Sequence, residues 1–195
     1  MKGTLILFAR APRLGGGKRR LAAGIGRRAA LRFHRINTES LIRRLGRDPR
    51  WRTMLAVTPE AWRWPVHVPR MVQQGHDLGA RMANALRAAP SGPVILVGSD
   101  IPGITADIVA RAFHALGAAD AVFGPARDGG YWLVGVRDRG LLRGLFRNVR
   151  WSSERALSDT IANLPAGRRH ALVHMLEDVD DIESWRRWRE AISRQ

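Results

Sequence analysis

Residues 94–102, VILVGSDIP, constrain this chain more than any other stretch. Four aliphatic residues run without a polar interruption, and the run stops at a serine, a carboxylate and a proline. A continuous apolar run of this kind marks a strand buried on both faces, as in parallel sheets covered by helices on either side. Open sheets of that class bind ligands just beyond the carboxyl ends of their strands. A carboxylate at such a point is costly to bury without compensation. Asp100 therefore stands where a metal or substrate ligand is expected. The bland alternative is an aspartate that opens a turn before a helix.

The rest of the chain alternates in the same way. Strand patterns occupy 4–9, 53–58, 93–98, 121–124, 131–136 and 171–174, with a short extended piece at 65–72. Helical spacing occupies 27–46, 78–88, 105–116, 141–146, 154–163 and 181–193. Asp77, Thr105 and Ser153 are placed to cap three of these helices. Alternating strands and helices predict a three-layer α/β/α fold around a mostly parallel, Rossmann-like sheet. The two strands around Asp128–Tyr131 leave no room for a helix between them, so the sheet is expected to be mixed. No repeat or linker divides the 195 residues, which read as a single domain over 1–195.

Composition removes several chemistries. With no cysteine there is no disulfide, thiolate metal site or thiol nucleophile, which suits a cytoplasmic protein. The first residues read as a strand and not a signal peptide. No apolar stretch approaches the roughly 18 residues a membrane span needs. The formal charge of +16 suits an anionic partner, or reflects an arginine-rich surface alone. A nucleic-acid-binding role would use the basic helix 27–47, and is the weaker reading. Oligomeric state is not legible.

Four segments carry candidate chemistry. The loop FARAPRLGGGKRRL places Gly15, Gly16 and Gly17 before Lys18, Arg19 and Arg20. Glycines let backbone N–H groups approach an anion, and the cations add charge. It is neither a Walker A loop nor a dinucleotide fingerprint, and a flexible solvated loop is the alternative. Lysine occurs only at positions 2 and 18, a hint that position 18 needs a compact ammonium. In QQGHDLGARM, Gln74 could read a base edge, and Arg81 opposes the helix dipole, which calls for a partner. In PARDGGYWLVG, Asp128–Gly129 is a tight-turn pair, and Gly129, Gly130 and Tyr131, the sole tyrosine, could line a substrate pocket. In LEDVDD, four acids offer hard oxygen ligands for Mg²⁺ or Mn²⁺, or decorate the start of the last helix.

In this order the segments resemble a bacterial family of GT-A-like glycosyltransferases, associated with radical enzymes or arsenosugar synthesis, of the nucleotide-diphospho-sugar transferase fold. The resemblance covers nearly the whole chain. It rests on Phe8-Ala9-Arg10-Ala11-Pro12, Lys18-Arg19-Arg20-Leu21, Asp77 to Met82, Ser99 to Pro102, Pro125 to Tyr131, Trp151-Ser152-Ser153 and Asp178-Val179-Asp180. Arg19 replaces a threonine of the family pattern, Arg10 a lysine, and 181–184 depart from it.

The resemblance implies a metal-dependent transferase that moves a sugar from a nucleotide-diphospho-sugar to a small acceptor. Asp100 and Asp180 would hold Mg²⁺ or Mn²⁺. Lys18 and Arg20 would clamp phosphates, with Lys18 also catalytic. Ala9, the loop glycines, Gln74, Asp77, Gly79, Arg81 and Ser99 would lie along the nucleotide. Asp128 to Tyr131 would line the acceptor pocket, with Asp128 as general base. The rival on the same fold is a nucleotidyltransferase that moves NMP from an NTP to a phosphorylated small molecule. A fold-retaining member that binds without catalysis is a further alternative, with Arg19 as its argument.

Overall fold

The computed structural model describes residues 2–13, 17–58 and 68–193. Its strands are β1 (Thr4–Arg10), β2 (Arg52–Thr58), β3 (Arg70–Val72), β4 (Val94–Gly98), β5 (Ala121–Pro125), β6 (Tyr131–Val136) and β7 (His170–Leu172). Its α-helices are α1 (Arg19–Ile25), α2 (Arg27–Gly46), α3 (Leu78–Ala88), α4 (Ala106–Ala115), α5 (Ala156–Ala162) and α6 (Ile182–Ser193), with a 3-10 helix at Arg139–Arg143.

The strands form one sheet in the order β3-β2-β1-β4-β6-β5-β7. β6 runs antiparallel to both β4 and β5, and the remaining pairings are parallel. The mixed sheet follows from the short turn at 128–130, which returns the chain directly alongside β5.

Side-chain alternation divides the core between the two faces of the sheet. Leu5, Leu7, Ile95 and Val97 pack on one face against Leu41, Ile42 and Leu45 of α2 and Val109 of α4. Ile6, Val94 and Leu96 pack on the other against Met82 and Leu86 of α3 and Leu141 and Leu142 of the 3-10 helix. Both faces of β4 are covered, which is why its sequence reads as an unbroken apolar run. Each fully buried Leu or Ile contributes about 2 kcal/mol of transfer free energy. α2 buries Ala30, Phe33, His34, Thr38, Leu41, Ile42 and Leu45, the spacing of one helical face. Asp77 caps α3 by accepting from the Ala80 N–H at 2.7 Å, and Thr105 caps α4 through the Ile108 N–H at 3.3 Å.

Several local expectations are corrected. α1 was not expected; it is seven residues long and buries only Leu21, too little apolar signal to mark a helix. The helix expected at 141–146 is the shorter 3-10 turn, shifted toward Asp138, whose carboxylate accepts from the Gly140 N–H. The helix expected from 154 begins at Ala156, because Ser153 turns its hydroxyl to the Arg150 carbonyl and the Arg155 N–H. Of the extended piece at 65–72, β3 accounts for 70–72, and residues 65–67 lie outside the described residues. The late strand starts one residue early and ends at Leu172. Among the described residues no helix is long and apolar enough to cross a membrane.

Candidate active site

The site forms where β1 and β4 end side by side, with Phe8 opposite Gly98. Asp100 stands two residues past β4. The loop that carries it is tied to α2, because the Asn37 amide donates to the Ser99 carbonyl at 2.8 Å. Ser99 is buried, so it contributes backbone here and not an exposed hydroxyl.

Lys18 reaches the same point from the other strand. It precedes α1 in a left-handed conformation, φ 54°, a region that a residue with a β-carbon enters at a cost. Its side chain is buried. The ammonium lies 3.4 Å from Asp100 Oδ2 and 3.5 Å from Asp180 Oδ1. The contacts fall short of hydrogen-bond geometry, so Nζ is buried without a hydrogen-bond acceptor.

Asp180 is brought over from the far side of the sheet. Leu176 bridges to Ala126 beyond β5 and donates its N–H to the Pro125 carbonyl at 3.1 Å. The indole of Trp132 donates to the His174 carbonyl at 2.9 Å. So fastened, the segment after Leu176 sends its side chains alternately to opposite sides. Val179 is buried with Leu21, Phe33, Trp185 and Trp188. Asp178 and Asp180 face the site instead. The four acids of this segment thus separate into four tasks. Glu177 pairs with Arg187 at 2.7 Å. Asp178 lines a cavity. Asp180 meets Lys18 and takes an ion pair from Arg20 at 2.5 Å. Asp181 accepts from the Ser184 N–H at 2.9 Å, at the start of α6.

Sequence reasoning missed one neighbour of this cluster and gave another no role of its own. His34 Nε2 lies 3.5 Å from Asp100 Oδ1 and is buried without a hydrogen bond. Burial holds its imidazole below the usual value, Asp100 opposes this, and Lys18 and Arg10 add to the lowering. The signal was present: a polar side chain on the inward stripe of α2. Asp178, one of the four acids offered as ligands by the sequence but assigned no separate role, is the second. Burial raises its carboxyl, Lys18 draws it down, and Asp128 and Asp180 push it up.

Two cavities flank the cluster. One, of about 430 Å³, is lined by Arg13, Gly17, Lys18, Arg19, Arg27, His34 and apolar residues of α1 and α2. The other, of about 270 Å³, is lined by Asp100, Asp128, Asp178, Tyr131, Trp132 and Trp151, among others. The turn between β5 and β6 is the expected hairpin and also part of this wall. Asp128 Oδ1 accepts from the Gly130 N–H at 2.9 Å, and the Ala126 N–H donates to the Gly130 carbonyl at 3.0 Å. Tyr131 stands edge-on to Phe123 and Trp151. Burial raises its phenol far above the ordinary value.

Other sequence candidates are not gathered at this point. Asp77 and Gly79 line a separate cleft with Arg87 and Arg143, while their neighbours Leu78 and Met82 face the aspartate cavity. A β-carbon on Gly79 would meet the Trp151 ring at 2.7 Å, so glycine lets α3 pack on that ring. Arg81 donates to the Gly75 carbonyl at 3.1 Å, which is the partner its place in the first turn required. Gln74 is exposed and its carbonyl accepts from Asn84 at 2.9 Å. Ala9 is buried, and its carbonyl accepts from the Gln73 amide at 3.0 Å. Gly15 and Gly16 lie outside the described residues.

Among the described residues no three His, Asp or Glu side chains converge as a ready metal cage. Asp100 and Asp180 nevertheless both face one cation, the Lys18 ammonium. Two hard carboxylates suffice for Mg²⁺ or Mn²⁺ when phosphates and water complete the shell. The donor set fits such an ion.

Residues 41–153 match the model of a bacterial family described as uncharacterized protein conserved in bacteria, DUF2064. The chain belongs to this family. The DUF2064 match takes in Asp77, Asp100, the turn at 128–131 and Trp151; Lys18, His34, Asp178 and Asp180 fall outside it. No curated protein matches the sequence. Among solved structures, a protein from Desulfovibrio desulfuricans G20, provisionally named a nucleotide-diphospho-sugar transferase, is 28% identical over 93% of this chain and 84% of that one, with a TM-score of 0.81. The DUF2064 chain has the fold of that structure. A CMP:2-keto-3-deoxy-manno-octonic acid synthetase, solved with CTP, matches at 12% identity over 100% and 99% of the two chains, TM-score 0.60. Rv0371c from Mycobacterium tuberculosis H37Rv, solved with manganese, matches at 17% identity over 97% and 98%, TM-score 0.56. None of these names refers to radical enzymes or arsenosugars.

Proposed function

We propose that this protein is a divalent-metal-dependent transferase that takes a sugar from a nucleotide-diphospho-sugar and passes it to a small acceptor. The observation that carries the proposal is the Lys18 ammonium, buried between Asp100 and Asp180 at the ends of β1 and β4. The likeness to the Desulfovibrio protein, and the CTP and manganese held by the more distant structures of this fold, support it.

Transfer from a diphosphate builds negative charge on the departing phosphate oxygens, and the rate follows how well that charge is met. Asp100 and Asp180 would hold the ion, which would supply Lewis-acid neutralisation of the diphosphate. Lys18, on the wall of the arginine-lined cavity, and Arg20, beside Asp180, bind phosphate oxygens. Gly17 lies on the same wall and lets the phosphates come close to the backbone. On the opposite side, Asp128 or Asp178 accepts the proton of the acceptor hydroxyl. Asp128 has one oxygen engaged by the turn, which fixes the orientation of the carboxylate toward the cavity it lines.

Calorimetric titration of UDP or GDP in Mn²⁺ is the test. Binding that needs the metal and is lost in Asp100→Ala is expected; metal-independent binding that survives Asp100→Ala overturns the proposal. The second reading, transfer of NMP from an NTP, uses the same ion and cations. Pyrophosphate as product identifies it; nucleoside diphosphate identifies glycosyl transfer.

A further inference from the structure

The chain carries 33 Lys and Arg against 17 Asp and Glu. The two cavities beside Lys18 share this charge very unequally. The 430 Å³ cavity takes Arg13, Arg19 and Arg27 besides Lys18. Among the described residues the 270 Å³ cavity has no basic side chain in its lining; its charged groups there are Asp100, Asp128 and Asp178. In so basic a molecule, a wall of three carboxylates without one guanidinium is the reverse of what composition alone would produce.

We propose that the 270 Å³ cavity accepts a small hydroxyl compound that carries no anionic group, either uncharged or bearing an amine. This rests on the reading of the site as a transferase with its acceptor on the Asp128 side. Three features argue for it. Asp128 and Asp178 face the cavity, no basic side chain among the described residues lines it, and the ion at Asp100 is engaged by the donor's diphosphate, so a phosphate or carboxylate entering there meets two like charges and no guanidinium. A hydroxyl or an ammonium instead gives each carboxylate a hydrogen bond. Tyr131, Trp132 and Trp151 supply aromatic surface, which suits the C–H faces of a polyol ring or a cationic head. The volume lies just under the usual range for ligand pockets, about 300–1,000 Å³, so the acceptor is small. An anionic molecule has a better host next door, where the arginines are.

The experiment is ligand-observed NMR on the full chain saturated with Mn²⁺ and UDP or GDP. The panel holds monosaccharides and polyols with their amino, phosphorylated and carboxylated counterparts. Hits among the neutral and amino members, weakened at least tenfold in Trp151→Ala, are expected. Neutralising the wall in Asp128→Asn/Asp178→Asn is expected to narrow the gap between neutral and phosphorylated members at least fivefold. Hits confined to phosphorylated or carboxylated members overturn the proposal, as does a panel without hits. Either result leaves the donor reading intact as long as the Mn²⁺–nucleotide complex forms. Failure of that complex to form overturns the donor reading itself.

Discussion

Gly129, in the turn between β5 and β6, and Lys18, at the end of the glycine-rich loop after β1, both have positive φ, 82° and 54°. Only one of them is a glycine. At Gly129 a β-carbon would strike the backbone of Glu154, and the Gly129 carbonyl accepts from the Leu157 N–H at 3.1 Å. The turn is held on several sides, and glycine is there because nothing larger fits. At Lys18 glycine would relieve the backbone, yet the chain keeps a lysine whose ammonium is buried against two aspartates. The contrast separates scaffold from chemistry. A strained position filled by the residue that fits it best is structural. A strained position filled by one that fits poorly is kept for what its side chain does.

Substitutions can break this contrast, and the largest effect is expected at the turn. Gly129→Ala is expected to cost about 3 kcal/mol or more, a fall in Tm of roughly 6–12 °C for a chain of this size. A Tm within 2 °C of wild type would mean the turn is not the rigid partner. Next, Asp100→Ala is expected to weaken Mn²⁺-dependent nucleotide binding by about 30-fold or more, with little change in Tm because the residue is half exposed. Unchanged affinity by calorimetry would remove the metal role. Lys18→Ala is expected to raise the nucleotide Kd about tenfold, or 1.4 kcal/mol, again with little change in Tm. Lys18→Gly sharpens the comparison. It should match Lys18→Ala in affinity but melt about 2–4 °C higher, since glycine avoids the roughly 1 kcal/mol left-handed cost. Equal melting temperatures would show no strain at position 18.

The smallest effect concerns the support behind the turn. Arg150 grips Asp159 of α5 through both carboxylate oxygens, at 2.6 and 2.8 Å. These hydrogen bonds hold the Asp159 carboxyl down to about 2, from an ordinary 3.8. A folded-state value below the unfolded one stabilises the fold above about pH 4, and that contribution is lost as pH falls through 2. The Tm difference between wild type and Asp159→Asn should therefore be constant near neutrality and shrink between pH 4 and pH 2. A constant gap down to pH 2 would contradict the pairing.

The frame was legible where one physical signal dominated. α2, α3 and β6 have the bounds their periodicity predicts, and Asp77 and Thr105 cap as their residue types predict. α1 escaped because its basic residues mask a single buried leucine. The site was legible only in pieces. Asp100 followed from the abrupt end of a buried strand, and Lys18 from its rarity. The approach of Asp180 to both depends on the bridge between Ala126 and Leu176, residues far apart in the chain, which leaves no trace in local spacing. Asp77 and Gly79 show the opposite case. Their pattern is real, but capping and packing account for it.

The segment 176–181 also limits what lengths of chain this site can tolerate. One end is pinned by the bridge at Leu176 and the other by Ser184 on Asp181, and Val179 is anchored between them in the tryptophan cluster. In extended chain, neighbours point to opposite sides. Inserting or deleting one residue between Leu176 and Asp178 would turn both aspartates toward the tryptophans and Val179 toward the site. Beyond its aspartates and Val179, this stretch tolerates substitution only within a fixed count, so its length is a signature of the site alongside its letters.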